Sequence, residues 1–177
     1  MNGPKHSLSS HQAAGIGNPI GKGHLYKCFF DQLVDELREK HKFTKAKGGA
    51  GKNWHTFNAG TSGFTYAAVF PLGGRIRAEV YIDLGNRERN VAALKALQTN
   101  ELALSKAFAE SLKWEVLESK QACRVAVYRS GSIEDPTELL REYHQWIIER
   151  LLLFKNVFGP KLPAAAEEAA RTKSSTI

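Results

Sequence analysis

The chain has 177 residues, 42% hydrophobic and 24% charged, which suits one domain with a real core. Its two cysteines, Cys28 and Cys123, form no CxxC and make no zinc site; they read as buried free thiols in a reducing compartment. The net charge of +7 is concentrated: Arg38 to Arg77 hold eight Lys/Arg against the single acid Glu39, while the rest balances at seventeen of each sign. A basic segment of this kind can attract phosphate or another polyanion.

Residues 1–23 are rich in Gly, Ser, Asn and His and read as a disordered arm. They hold no continuous apolar stretch, so they are no secretory signal. Apolar runs such as Leu151-Leu152-Leu153-Phe154 are far too short to cross a bilayer. The expectation is a cytoplasmic protein with no membrane partner. Tyr26, Phe29, Phe30, Leu33, Val34 and Leu37 then recur at helical spacing, opposite Asp31, Asp35, Arg38 and Glu39. The glycine-rich run Lys45 to Lys52 reads as a mobile basic loop.

Strand patterns follow at Trp54–Phe57 and Phe64–Phe70, with a turn at Pro71–Gly74. Arg75–Asp83 is the clearest strand. Ile76, Ala78, Val80 and Ile82 fall on one face; Arg75, Arg77, Glu79, Tyr81 and Asp83 fall on the other. One helix is expected from about Asn86 to Ser111, on the stripe Val91, Leu94, Leu97, Leu104 and Phe108. Leu112–Leu117 and Ala122–Tyr128 form a hairpin about the turn Glu118–Gln121. Asp135-Pro136-Thr137-Glu138 reads as a helix start capped by Asp135. The helix buries Leu139, Tyr143, Trp146, Ile147, Leu151, Phe154 and Phe158 and ends at Gly159-Pro160. An Ala/Glu-rich tail occupies 163–177, leaving a single domain over 24–162. The order α-β-β-β-α-β-β-α predicts an α+β fold: a mostly antiparallel five-stranded sheet with three helices on one face.

Three groups of residues carry candidate chemistry. Asp83 with Glu118-Ser119-Lys120 has the E-x-K spacing of some metal-dependent nucleases, whose carboxylates hold Mg²⁺. Such sites usually place the Asp and the E-x-K on neighbouring strands. Here a helix intervenes and Glu118 sits in a turn, so an ordinary polar turn explains them better. The polar face Arg77, Glu79, Tyr81 and Asp83 is either a binding surface or a solvated face with paired charges. Lys42, Lys45, Lys47 and Lys52 precede Trp54, and Arg75 and Arg77 follow. Lysines and arginines neutralise phosphates, and aromatics stack on unpaired bases. Gly48 to Lys52 lacks the full phosphate-loop pattern, because Asn53 follows the lysine. No pair of histidines has ligand spacing, so no metal, cofactor or catalytic residue is assigned.

Trp54–Gly60, Arg75–Asp83 and Leu112–Leu117, with Trp146 in the last helix and Val157–Pro160 closing it, resemble the domain-of-unknown-function family 4268. The resemblance runs from about Tyr26 to Leu162. A glycine expected just before the Leu-x-Trp-Glu strand is replaced around Glu110-Ser111. The resemblance implies bacterial or archaeal proteins that occur alone or behind a nuclease-like domain. It therefore implies a role near DNA or in defence against foreign DNA, and it carries over no catalytic residues. The expected function is a binding module for nucleic acid or a nucleic-acid-processing partner, rather than an enzyme. The alternatives are a metal-dependent nuclease using Asp83, Glu118 and Lys120, and a protein-interaction domain or homodimer. Convergence of the Lys42–Lys52 loop, Arg75 and Arg77 on one face would favour binding.

Overall fold

The alternation in the third strand organises the molecule. A computed structural model describes residues 21–172; residues 1–20, most of the arm, and 173–177 lie outside them. The elements are α1 (Lys22–Glu39), β1 (Trp54–Asn58), β2 (Phe64–Val69), β3 (Arg75–Ile82), α2 (Arg87–Gln98), α3 (Glu101–Phe108), β4 (Lys113–Val116), β5 (Cys123–Ser130), α4 (Thr137–Phe158), a 3₁₀ turn (Gly159–Lys161) and α5 (Leu162–Arg171). The strands form one antiparallel sheet in the order β1-β2-β3-β5-β4. The α+β class and the five-stranded sheet are as the sequence predicts.

The even-numbered residues of β3, Ile76 to Ile82, are fully buried. Across the sheet, Phe57, Tyr66, Val80, Val125 and Trp114 stand in one row on that face. Phe29, Phe30, Leu33, Val34 and Leu37 of α1 join them in one core, with Ile147, Leu151, Phe154 and Phe158 of α4 and the buried side chains of α2, α3 and α5. Each such Leu or Phe contributes about 1.5–3 kcal/mol by leaving water. The helices thus gather on one side of the sheet, α2 and α4 directly against it and α5 against α2.

The helices depart from the sequence reading in several places. The expected helix from Asn86 to Ser111 is two, α2 and α3, broken at Thr99-Asn100. Thr99 Oγ1 donates to the Ala96 carbonyl, the backbone competition that makes such residues helix breakers. Gly159-Pro160 relays the chain through a 3₁₀ turn into α5, so the order gains two helices. Proline is tolerated there because the first turn of a helix needs no N–H from it. The described part of the tail is therefore helix through Arg171: Leu162, Ala165 and Ala169 are buried. Asp135 does not cap α4. Its Oδ2 instead accepts from Ser132 N at 2.8 Å and from the Tyr143 hydroxyl at 2.6 Å. Leu139 is exposed, and Ile148 takes a place in the core. Cys123 is buried as expected, but Cys28 is exposed, its Sγ 3.4 Å from His24 Nε2.

The glycine-rich segment is docked rather than loose. Phe43 is buried, and its N–H donates to the Leu37 carbonyl. Arg38 Nη1 donates to the Ala46 carbonyl, and Gly49 N donates to Asp31 Oδ1 at 2.6 Å. The segment runs back along α1 until Gly51 lies against Gly23.

Candidate functional site

The other face of the sheet is built from the alternate residues of the same strands, and among the described residues the helices' core side chains gather on the opposite face. Its three cross-strand rows are Trp54-Val69-Arg77-Tyr128, then Thr56-Ala67-Glu79-Ala126-Lys113, then Asn58-Thr65-Tyr81-Arg124-Glu115. Glu79 sits in the middle row of the middle strand, with alanine on either side. Ala67 and Ala126 are buried yet outside the core.

Beside Glu79 the small side chain of Ala67 leaves a cavity of about 290 Å³. Ala67 and Val69 line it with Glu79; Trp54, Thr56, Tyr81, Arg77, Arg124 and Lys120 complete it. Glu79 is only 3% exposed. Arg77 Nε stands 2.7 Å from its Oε2, and Arg124 Nε 3.6 Å from the same oxygen. Burial pushes the Glu79 carboxyl above its ordinary value, and the two guanidiniums offset that only in part. Arg124 also pairs with Glu115 Oε2 at 2.5 Å, and the Tyr128 hydroxyl donates to that oxygen at 2.8 Å. Burial works against the charge of Glu115, but these two hydrogen bonds outweigh it and hold the carboxyl below its ordinary value. Arg75 and Arg77 lie 5.0 and 5.8 Å from the Tyr128 ring, and Lys52 Nζ lies 4.9 Å from the Trp54 ring. These are cation–π distances. Trp54 itself is 43% exposed.

Of the residues singled out in the sequence, Lys52, Trp54, Arg75 and Arg77 come together on this face or its rim. Lys42, Lys45 and Lys47 do not. They are exposed along the docked segment beside α1, spread from its C-terminal end toward its middle. Asp83 is exposed just beyond β3, where its Oδ1 accepts from Gly85 N. Glu118 and Lys120 lie in the exposed β4–β5 turn at the same end of the sheet, and Lys120 reaches the cavity. β5 lies between β4 and β3, so Glu118 and Asp83 are not on adjacent strands. Among the described residues no group of three or more His, Cys, Asp or Glu could hold a metal ion.

Sequence reasoning missed Arg124, Glu115 and Tyr128. Arg124 and Tyr128 share a parity in β5, the signal that places them on one face. Their meeting with Glu79 requires knowing that β5 pairs with β3.

Among the described residues no helix is long and apolar enough to cross a membrane. No curated protein matches the chain, and no solved structure does. A family model matches residues 25–162, most of the chain and all five strands. The chain belongs to the family described as a domain of unknown function (DUF4268).

Proposed function

We propose that the protein is a binding module whose uncovered sheet face contacts single-stranded nucleic acid. The observation that carries this reading is the convergence of the exposed Trp54 ring with Lys52, Arg75 and Arg77. An accessible aromatic with a cation over its ring and further cations on the same face is what unpaired nucleic acid requires: a stacking platform for a base and positive charge for the adjoining phosphates. Six cations (Lys52, Arg75, Arg77, Lys113, Lys120 and Arg124) stand on the face or its rim, against Glu79 and Glu115 in its rows and Asp83 and Glu118 at its edge.

The test is fluorescence anisotropy with labelled single-stranded and duplex DNA and RNA across a salt series. Single strands bind more tightly than duplex, and log affinity falls linearly with log salt. Trp54→Ala weakens binding by about 1–3 kcal/mol, the value of one base stacked on an aromatic ring. Arg75→Ala lowers the salt slope by about one. Absence of binding at low salt, where phosphate-driven affinity is greatest, refutes the reading.

A further inference from the structure

A purely phosphate-binding face has no use for a buried carboxylate. Glu79 is 3% exposed, stands at the centre of the face and lines its cavity. Keeping it there costs desolvation energy, which the guanidiniums of Arg77 and Arg124 offset only in part. Leucine at position 67 would fill the space beside it, yet that position holds alanine. The result is a cavity of about 290 Å³ with an apolar floor at Ala67 and Val69 and aromatic residues, Trp54 and Tyr81, among its walls. An acceptor-only carboxylate and donor-only arginines line the same space.

A nucleobase suits these dimensions and this polarity, and the four bases suit it unequally. Guanine alone carries two adjacent donors, N1–H and N2–H₂, which match the two oxygens of one carboxylate. Its O6 and N7 form the acceptor pair that arginine reads best. Thymine offers one donor flanked by two acceptors and fits a carboxylate worst. Adenine and cytosine each offer one amino group.

We propose that the cavity beside Glu79 seats one unstacked guanine: the Glu79 carboxylate takes the N1/N2 edge, an arginine of the pair takes O6 and N7, and Trp54 covers the ring. This rests on the reading that the face contacts single-stranded nucleic acid, and it adds a base preference that stacking and phosphate contacts alone do not produce.

The experiment compares labelled thymine oligonucleotides carrying one central guanine, adenine or cytosine with the all-thymine strand, on the full chain. A single central guanine avoids the four-stranded structures of guanine runs. The guanine strand binds about tenfold tighter than all-thymine, the discrimination of one good bidentate pair. The ratio falls toward one in Glu79→Gln, which cannot offer two acceptors, and in Ala67→Leu, which fills the cavity and leaves every charge in place. Circular dichroism confirms that each variant is folded. Equal binding of all strands overturns the guanine seat and leaves the contact face standing. A guanine preference that survives in folded Ala67→Leu also overturns it, because the base is then read elsewhere. No binding of any strand overturns both.

Discussion

Arg77 Nε stands 2.7 Å from Glu79 Oε2, two residues along the same strand and on the same face, with both side chains largely withdrawn from solvent. Removing one partner of such a pair costs more than the pair contributes, because the other charge is left buried. Arg77→Ala is expected to destabilise the fold by about 2–4 kcal/mol, tempered by Arg124 on the same oxygen. The double change Arg77→Met with Glu79→Leu restores most of that loss. Urea denaturation of the three proteins checks it, and a double variant no more stable than Arg77→Ala contradicts it.

Asn90 is fully buried and joins two loops at one end of the sheet. Its Oδ1 accepts from Leu84 N at 2.6 Å, and its Nδ2 donates to the Gln121 carbonyl at 2.8 Å. Asn90→Leu leaves both backbone groups without that partner, at a cost of about 2–4 kcal/mol for the two. The melting temperature falls accordingly, and amide exchange at Leu84 accelerates. Unchanged exchange at Leu84 would show that the bond does not hold in solution.

The docked segment makes its own prediction. A Cβ at Gly49 would come 2.7 Å from Phe30 Cβ, an atom fixed to the backbone of α1. Gly49→Ala must therefore push the segment off the helix and is expected to cost about 1–3 kcal/mol as an overpacking change. A Cβ at Gly73 meets nothing within 4 Å, but its φ of +91° strains any side chain. Gly73→Ala thus reports backbone strain without a clash. A Gly49→Ala protein as stable as wild type would mean that the segment is loose.

Two half-buried imidazoles set the pH dependence near neutrality. Burial lowers His55, opposed by Asp31. Burial also lowers His144; Glu36 and a hydrogen bond to the Gln32 backbone oppose it, and Lys40 adds to it. A histidine held below its ordinary value of 6.5 favours the neutral ring in the fold, so the unfolded chain binds more protons as pH drops. The associated stability is present above pH 6.5 and is lost as pH falls below it. Urea midpoints decline between about pH 7.5 and about pH 5, and the double change His55→Phe with His144→Phe flattens the decline. A wild-type midpoint constant over that range contradicts the assignment.

What the sequence discloses follows from how local each signal is. The buried and open faces of β3 are legible because period two is a property of consecutive residues, Arg75 to Ile82. The break at Thr99-Asn100 is not, since Leu97 and Leu104 keep helical spacing across it. α5 is hidden by its composition: Ala165 and Ala169 contrast too little with their neighbours to mark a stripe. The docking of the glycine-rich segment depends on Asp31, eighteen residues away from Gly49. The site was half legible. Trp54, Arg75 and Arg77 are legible as an aromatic and two cations in strand patterns, whereas Arg124 reaches Glu79 only through the β3–β5 pairing.

The central claim is that the open sheet face is the contact surface, and amide chemical-shift mapping with a single-stranded oligonucleotide tests it most directly. Perturbations confined to Lys52–Thr56, Ala67–Val69, Arg75–Tyr81 and Arg124–Tyr128 are the predicted result. Perturbations centred on α1, α4 or the Lys42–Lys47 segment, with β1, β3 and β5 unmoved, would contradict it.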